Sequence, residues 1–528
     1  MPTSIQQYIE QLHDTKSRAS LISLVIIVLA GFLLRYYLFD VGHAYHYLAI
    51  NDEISAYEFA MRFLAGDSTT YYLGQPDFAG GKAPGPYFTL FWIAFYELGG
   101  QSPQGALFVI LILNSALILL IYWLARCFLD NRYALLTALL FATAPWTIYY
   151  AVGLWNPMPL AILGAFLFIS LWKTVTTPDS KAIFWVWIIL ALIPQFHMIG
   201  IFYAPAVFLV LYTLSEKLNR PWFVLGLLTG IGLYLPYLIG DGLNNWQNTR
   251  AILAGQEGDG FSFSVLKILT APATVLSNLP SRWSGPEFSS YIVYGDRYFG
   301  SYIVLIIVNL LSILFSLYIV YSFLTDFVRL LKVNKFSLRQ SFNEDKCTVF
   351  IGMMGFVPLI LFLFTGHNYA TRYTIIIFPL LFILFSIRLR TLNLKFTNNL
   401  INIFVVLTIT VNIFISVTFF NHTAGQFEAK QQFMPSFKIL EEINFALEEK
   451  LTGTPSITLA ETPKSLSELN RTLLTALPSY INIQQKYQKR DTNQKIIPLK
   501  LFRDLGENPE ILQKDIVYRD NGIILSYE

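Results

Sequence analysis

The stretch "LISLVIIVLAGFLLRYYLF", residues 21–39, decides the class of the fold, because it is long and almost wholly apolar. A helix rises 1.5 Å per residue, so these residues extend about 28 Å, close to the ~30 Å hydrocarbon core of a bilayer. Lys16 and Arg18 precede the stretch, and no small-residue cleavage site follows it. The pattern therefore predicts a retained membrane span rather than a signal peptide.

The composition extends this interpretation to most of the chain. Of the 528 residues, 54% are hydrophobic and only 13% are charged, and the mean hydropathy is +0.50. A net charge of +3 is too small to indicate a nucleic-acid partner. Cys127 and Cys347 are the only cysteines, which argues against a disulfide framework or a thiolate metal cage. The sequence predicts an all-α polytopic membrane protein.

Apolar runs predict eleven crossings, at about 21–39, 104–124, 133–150, 157–173, 182–196, 198–214, 221–240, 299–326, 348–365, 371–388 and 397–420. Residues 82–100 are interpreted as a short segment at the outer surface that does not cross. This choice places the loop lysines and arginines on the cytoplasmic side with the N-terminus, as the positive-inside rule prefers. The C-terminus then lies outside the cell.

Long apolar runs end near residue 420, which predicts two domains, 1–420 in the membrane and 421–528 on the extracytoplasmic side. "FKILEEINFALEEKL", residues 437–451, has helical periodicity, and "DIVYRDNGIILSYE", residues 515–528, is typical of two short strands around a turn. We expect a small α/β domain there. A second outer segment, 241–298, is rich in Trp, Tyr, Asn and Gly, which suits a sugar or headgroup site and an ordinary interfacial aromatic belt equally well.

An acidic pair follows the first span, in "AINDEISAYEFAMRFLAGD", residues 49–67. Residues 53–66 have apolar side chains at helical spacing, with Tyr57 and Met61 among them, which predicts an amphipathic helix on the membrane surface. Asp52 and Glu53 lie at its N-terminus, where the helix dipole favours a carboxylate. The purely structural interpretation is that this pair caps the helix.

Four further polar patches fall on the same predicted face. Taken singly, each has an ordinary explanation, such as a snorkelling lysine or a packed histidine. The stronger observation is that all of these patches fall on the same side of the membrane in a topology that was chosen from loop charges and not from these residues. A lipid phosphate needs cations beside apolar helices, and a nearby carboxylate can take a proton from an acceptor hydroxyl. The patches are Lys82 in "GGKAPGPYF", Trp155 and Asn156 in "LWNPMPL", Gln195 and His197 in "PQFHMIG", and His367, Asn368, Arg372 and Tyr373 in "TGHNYATRYTIIIFP".

The order of these motifs resembles a known superfamily. The Asp-Glu pair, "GGKAPGPYFTLFW", "ARCFLDNRYALLTALLFATAPW" and the late "RYTIIIFPLL" together resemble the GT-C membrane glycosyltransferases. The resemblance is to glycosyltransferase family 39, which holds the protein O-mannosyltransferases and the aminoarabinose transferases of lipid A. It covers roughly residues 20–390 and implies a GT-C fold with juxtamembrane helices on the outer surface.

The resemblance also implies roles for individual residues. Asp52 falls on the family's catalytic base, with Glu53 as its neighbour, while Lys82 and Arg372 fall on the residues near the phosphate of the lipid-linked donor. Many relatives carry an aspartate where this chain has Asn156, so no metal ion and no other cofactor is expected. Six residues are expected to line the substrate pocket: Trp155, Asn156, Gln195, His197, His367 and Tyr373.

The expected function is that of an inverting glycosyltransferase that uses a polyprenyl-phosphate-linked sugar. The acceptor is a lipid-anchored glycan, a cell-wall polymer or a protein, and the expected location is a prokaryotic plasma membrane with the site outside. One alternative is a transporter or flippase of lipid-linked saccharides, and another is a scaffold that has lost the reaction. Transporters tend to have repeated halves with polar groups at mid-bilayer, and neither is found in this sequence.

Overall fold

The structure is a computed structural model. It describes residues 15–41, 52–74, 85–151, 153, 158–177, 179–213, 218–254, 302–363 and 371–393, with shorter pieces at 268–276 and 402–417 and four strands between 455 and 527. Side chains at several helix ends, including 52–55 and 371–373, lie outside this description. Nearly all of the described part before residue 420 is helical.

The first half contains ten α-helices and two short 3-10 helices among its described residues. Helix ends follow local signals: Ser102 accepts a hydrogen bond from the Gly105 amide at 3.1 Å, and Pro103 occupies the first helical position of the helix that follows. The α-helices are α1 Thr15–Val41, α2 Asp52–Leu64, α3 Tyr87–Leu98, α4 Pro103–Arg126, α5 Asn131–Thr143, α6 Pro145–Tyr149, α7 Leu160–Thr176, α8 Ala182–Phe196, α9 Tyr203–Tyr212 and α10 Arg220–Gly232; the 3-10 helices are Ser68–Tyr71 and Met198–Phe202.

The second half continues with α11 Leu235–Leu243, α12 Gln247–Ala254, α13 Tyr302–Val333, α14 Leu338–Glu344, α15 Lys346–Leu363 and α16 Phe378–Asn393. A third 3-10 helix, Thr371–Ile377, leads directly into α16 and is called the late 3-10 helix below. Near the other end of α16, Arg388 donates to Asp326 on α13 at 2.6 Å. This ion pair ties α13 to α16 on the predicted cytoplasmic side.

Five helical segments of the described residues are long and apolar enough to cross a membrane: Arg18–Tyr37, Pro103–Arg126, Arg220–Leu243, Leu310–Val333 and Thr374–Leu392. Shorter apolar helices stand at several other predicted crossings, and the total of eleven stays a prediction. Pro145 divides the predicted span 133–150 into α5 and α6. Helix α3 has 12 residues, about 18 Å, and the position of 82–100 at the outer surface stays a prediction.

Four strands form a sheet near the C-terminus: β1 Pro455–Leu459, β2 Lys495–Arg503, β3 Ile516–Asp520 and β4 Ile523–Tyr527. The order is β1-β2-β4-β3, with β1 parallel to β2 and the other pairs antiparallel. The strands β3 and β4 pair where the sequence predicts a hairpin. The predicted helix at 437–451 lies outside the described residues, so a complete α/β domain stays a prediction.

Candidate active site

Helix α2 begins at Asp52 and packs on α3. Tyr57 is fully buried, with its ring centroid 5.3 Å from that of Trp92 and 6.1 Å from that of Tyr96. Met61 is buried on the same face, whereas Leu64 is exposed. The sequence predicts that the apolar face of α2 lies on the membrane surface, but most of this face is covered by other residues of the protein.

The acidic pair occupies the first turn of α2, with its side chains outside the described part. At the other end of α2, the guanidinium of Arg62 makes an ion pair with Asp67 at 2.7 Å. The chain then turns into the 3-10 helix Ser68–Tyr71. A Cβ placed on Gly240 would lie 2.2 Å from the Cβ of Tyr72, so α11 approaches this turn closely. The end of the predicted crossing 221–240 thus contacts the loop that follows α2.

The segment that follows Lys82 contacts the end of α8. Gly85 has φ of +117°, and a Cβ placed there would lie 2.1 Å from Oε1 of Gln195. Just beyond, the rings of Phe88 and Phe91 pack on Phe196, with centroids 5.9 Å and 5.3 Å away. The segment that begins three residues after Lys82 therefore contacts the patch around Gln195. Lys82 itself lies outside the described residues.

Gln195 and His197 are both buried. The Nε2 of Gln195 donates to the Ala191 carbonyl at 3.0 Å, and its Oε1 has no hydrogen-bond partner among the described residues. His197 begins the 3-10 helix Met198–Phe202, where its Nδ1 accepts from the Ile199 amide at 3.2 Å. Because Nδ1 is an acceptor, the proton of the neutral ring is assigned to Nε2.

The late 3-10 helix carries Arg372 and Tyr373 and packs on α7. A Cβ on Gly164 would lie 2.5 Å from the carbonyl oxygen of Ile376, so α7 touches this helix through its backbone. Helix α7 begins shortly after Trp155 and Asn156 along the chain. These two residues and His367 lie outside the described residues, as do the side chains of Arg372 and Tyr373.

Two cavities flank the late 3-10 helix. The first, called the apolar cavity below, has no charged residue in its described lining, and it is lined by Ile199, Phe202, Tyr203, Pro358, Leu359, Phe362, Thr374 and Ile377. The second has polar groups, and it is lined by Arg35, Asn114, Leu117, Phe141, Thr147, Tyr150, Met158, Ala161, Ile375 and Phe378. The late 3-10 helix therefore lies between a cavity next to the His197 turn and a cavity lined by Arg35, Asn114 and Thr147.

Arg35 is a residue that the sequence analysis missed. It lies inside the first apolar run and is fully buried. Ionisable residues at membrane depth are functional candidates because their burial is costly, and this rule would have selected it. Among the residues described here, no group of three His, Cys, Asp or Glu side chains is placed to hold a metal ion.

Comparisons with known proteins identify the fold. No family model and no curated protein matches the sequence. The crystal structure of ArnT from Cupriavidus metallidurans bound to undecaprenyl phosphate is similar, with a TM-score of 0.51, 13% identity, and coverage of 95% of this chain and 97% of ArnT. The chain has the GT-C fold. The apo ArnT structure gives the same TM-score and identity over 97% and 98% of the two chains.

A weaker likeness is found to the archaeal oligosaccharyltransferase AglB from Archaeoglobus fulgidus in complex with an inhibitory peptide and a dolichol-phosphate. Its TM-score is 0.41 at 12% identity, over 88% of this chain and 64% of AglB. The ArnT likeness confirms the resemblance stated from the sequence motifs. At 13% identity it establishes the fold, and the residue roles stay predictions.

Proposed function

We propose that this protein is a membrane glycosyltransferase that moves a sugar from a polyprenyl-phosphate donor to an acceptor on the extracytoplasmic side. One observation carries the proposal: α2 packs on α3, α3 packs on the end of α8, α8 packs on α7, and α7 packs on the late 3-10 helix, so the described elements next to the predicted patches are linked by contacts. The fold of the chain is similar to that of ArnT, whose structure holds undecaprenyl phosphate.

In the proposed reaction, Asp52 is the general base. Its position in the first turn of α2 suits an ionised carboxylate, since the positive end of the helix dipole stabilises the charge. The acceptor hydroxyl attacks the anomeric carbon, the bond from that carbon to the phosphate oxygen breaks, and the hydroxyl proton passes to Asp52. A single displacement of this kind inverts the anomeric configuration. Glu53 is proposed as the acidic neighbour of Asp52 in this site.

Lys82 and Arg372 are proposed to hold the donor phosphate and to stabilise its charge as it leaves. The apolar cavity beside the late 3-10 helix would face the lipid part of the donor. The sugar would lie toward the pocket residues predicted from sequence, which are Trp155, Asn156, Gln195, His197, His367 and Tyr373. No metal ion is assigned to this site.

The proposed partners are a polyprenyl-phosphate sugar and an acceptor that is a lipid-anchored glycan, a cell-wall polymer or a protein. The proposed location is a prokaryotic plasma membrane. Mass spectrometry of surface glycans and glycoproteins from a deletion strain would name donor and acceptor class together, through the sugar that disappears. A surface glycome identical to that of the parent strain would contradict the proposal.

The catalytic role is tested by Asp52→Asn. The amide is nearly isosteric but cannot accept the proton, so transfer should fall by roughly 10²–10⁴-fold while donor binding is retained. Purified protein, a polyprenyl-phosphate sugar and thermal unfolding would separate these effects. If Asp52→Asn turns over at the wild-type rate, Asp52 is only a helix cap.

A further inference from the structure

The inference concerns Arg35, a charged residue within a predicted membrane span. Its exposed fraction is zero, and it lies six residues, or about 9 Å, before the end of α1 at Val41. A buried charge is costly unless it is paired or hydrogen-bonded. The hydrogen bonds of Arg35 therefore show how far its guanidinium is satisfied.

One edge of the guanidinium is fully engaged. Nη1 donates to the carbonyl oxygens of Gly31 at 2.9 Å and Ala142 at 3.0 Å. Nη2 makes one long contact with Oγ1 of Thr147, at 3.4 Å, and Nε has no hydrogen-bond partner among the described residues. All three acceptors are neutral oxygens. The edge formed by Nε and Nη2 is the planar fork that binds two oxygens of a carboxylate or phosphate, and it is largely uncommitted.

Arg35 also lines the polar cavity, together with Asn114, Thr147 and Tyr150. The described lining of this cavity contains no carboxylate, so a cation is the only formal charge there. The space open to the centre of a water-sized molecule is about 20 Å³, enough for a water molecule or an oxygen of a larger group. The cavity therefore places a cation and its donors next to a space for one oxygen. Because Arg35 has no exposed surface, its guanidinium must turn toward that space before Nε and Nη2 contact the oxygen.

We propose that Arg35 is an oxyanion-binding residue whose Nε and Nη2 hold phosphate oxygen at the polar cavity. The cavity lies next to the proposed site, because Ile375 in its wall is three residues from Arg372, and Met158 is two residues from Asn156. The phosphate comes either from a lipid-linked donor or from solution. If the phosphate belongs to a lipid-linked donor, the inference rests on the proposed function and adds a residue to its site. If the phosphate comes from solution, the inference does not depend on that function.

The test measures phosphate binding to the full-length protein in detergent. Undecaprenyl phosphate, inorganic phosphate and the uncharged undecaprenol are titrated, and thermal unfolding is followed with and without each compound. Arg35→Met, which keeps an unbranched apolar stem and removes the charge and the fork, should weaken phosphate binding by about ten- to a hundredfold. Arg35→Lys should fall between, since it keeps the charge but loses the fork.

Two further variants separate binding from folding. Ala161→Leu fills the cavity from another wall and leaves Arg35 and its hydrogen bonds in place, so it should also weaken phosphate binding. Arg62→Met is the matched control, because this arginine is already paired with Asp67 and should not affect phosphate binding. Undecaprenol binding should be the same in all variants.

The outcomes distinguish the two proposals. Loss of undecaprenyl phosphate affinity in Arg35→Met and Ala161→Leu, with Arg62→Met unchanged, supports the inference and the lipid source. Arg35-dependent binding of inorganic phosphate alone supports the inference with a soluble source and counts against the proposed donor. Wild-type affinity for both phosphates in Arg35→Met overturns the inference, while measured sugar transfer would leave the proposed function standing.

Discussion

Gly85→Ala tests whether the contact with Gln195 sets the position of the segment that carries Lys82. Gly85 has φ of +117°, a conformation that alanine adopts only with strain of about 1–3 kcal/mol. The new methyl group would also lie 2.1 Å from Oε1 of Gln195. Relief requires the amide to move, which breaks its 3.0 Å bond to the Ala191 carbonyl, worth about 0.5–1.5 kcal/mol.

Together these costs are about 2–4 kcal/mol. They destabilise the native conformation of the turn at Gly85 and not the packing of the whole core. The chain can avoid them by displacing residues near 85, three positions after Lys82. If the displaced state does not bind the donor phosphate, the competent fraction and the apparent affinity fall by about thirty- to several-hundredfold. Titration with undecaprenyl phosphate, followed by thermal shift, measures this loss.

Two variants make the result specific. Gly85→Ala with Gln195→Ala removes the collision but not the φ strain, so it should recover about tenfold of the lost affinity. Gly232→Ala is the control, because a Cβ there meets no heavy atom within 4 Å and alanine favours the helix. Wild-type affinity in Gly85→Ala, or an equal loss in Gly232→Ala, would refute the reasoning.

Three other predictions concern donor binding, topology and thiol reactivity. Lys82→Ala and Arg372→Ala should each weaken donor affinity by about one to two decades. The double variant should lose less binding free energy than the two single losses added together, because both residues contact one phosphate. Strictly additive losses in titrations would mean that the two residues do not share a ligand. Ser68 and Leu98 are both exposed; Ser68 precedes α3 along the chain and Leu98 is the last residue of α3. In a cysteine-free background, a cysteine at each position should react with an impermeant maleimide added from outside. If one of the two reacts only after the membrane is permeabilised, α3 crosses. Burial raises the pKa of the Cys127 thiol above its usual range. Because the thiolate is the reactive form, alkylation of Cys127 in folded protein should stay slow at pH 8 and become faster as the pH rises toward that pKa. Fast alkylation at pH 7 would contradict this.

The sequence predicted the features that depend on local pattern. Apolar runs of span length indicated a helical membrane protein, and the alternation on either side of Asn521 and Gly522 indicated the β3–β4 pair. The order of short motifs indicated the GT-C resemblance. Each signal lies within a few tens of residues, so a single sequence contains it in full.

Features that depend on distant contacts were not predicted. Proline interrupts two predicted spans, at Pro145 and Pro236, yet the resulting helix angles depend on neighbours. The fit of Gly85 against Gln195 joins residues about 110 positions apart, and no periodicity reports it. Arg35 is visible in the first apolar run, but its acceptors Ala142 and Thr147 come from another part of the chain, so the sequence does not show which edge of the guanidinium is occupied.

The approach of Gly164 to the carbonyl oxygen of Ile376 has an evolutionary consequence. A side chain that collides with another side chain can be accommodated when the partner becomes smaller, but a main-chain oxygen has no smaller form. Position 164 should therefore stay glycine among homologues even when residue 376 changes freely, and it should do so whichever sugar or acceptor they use.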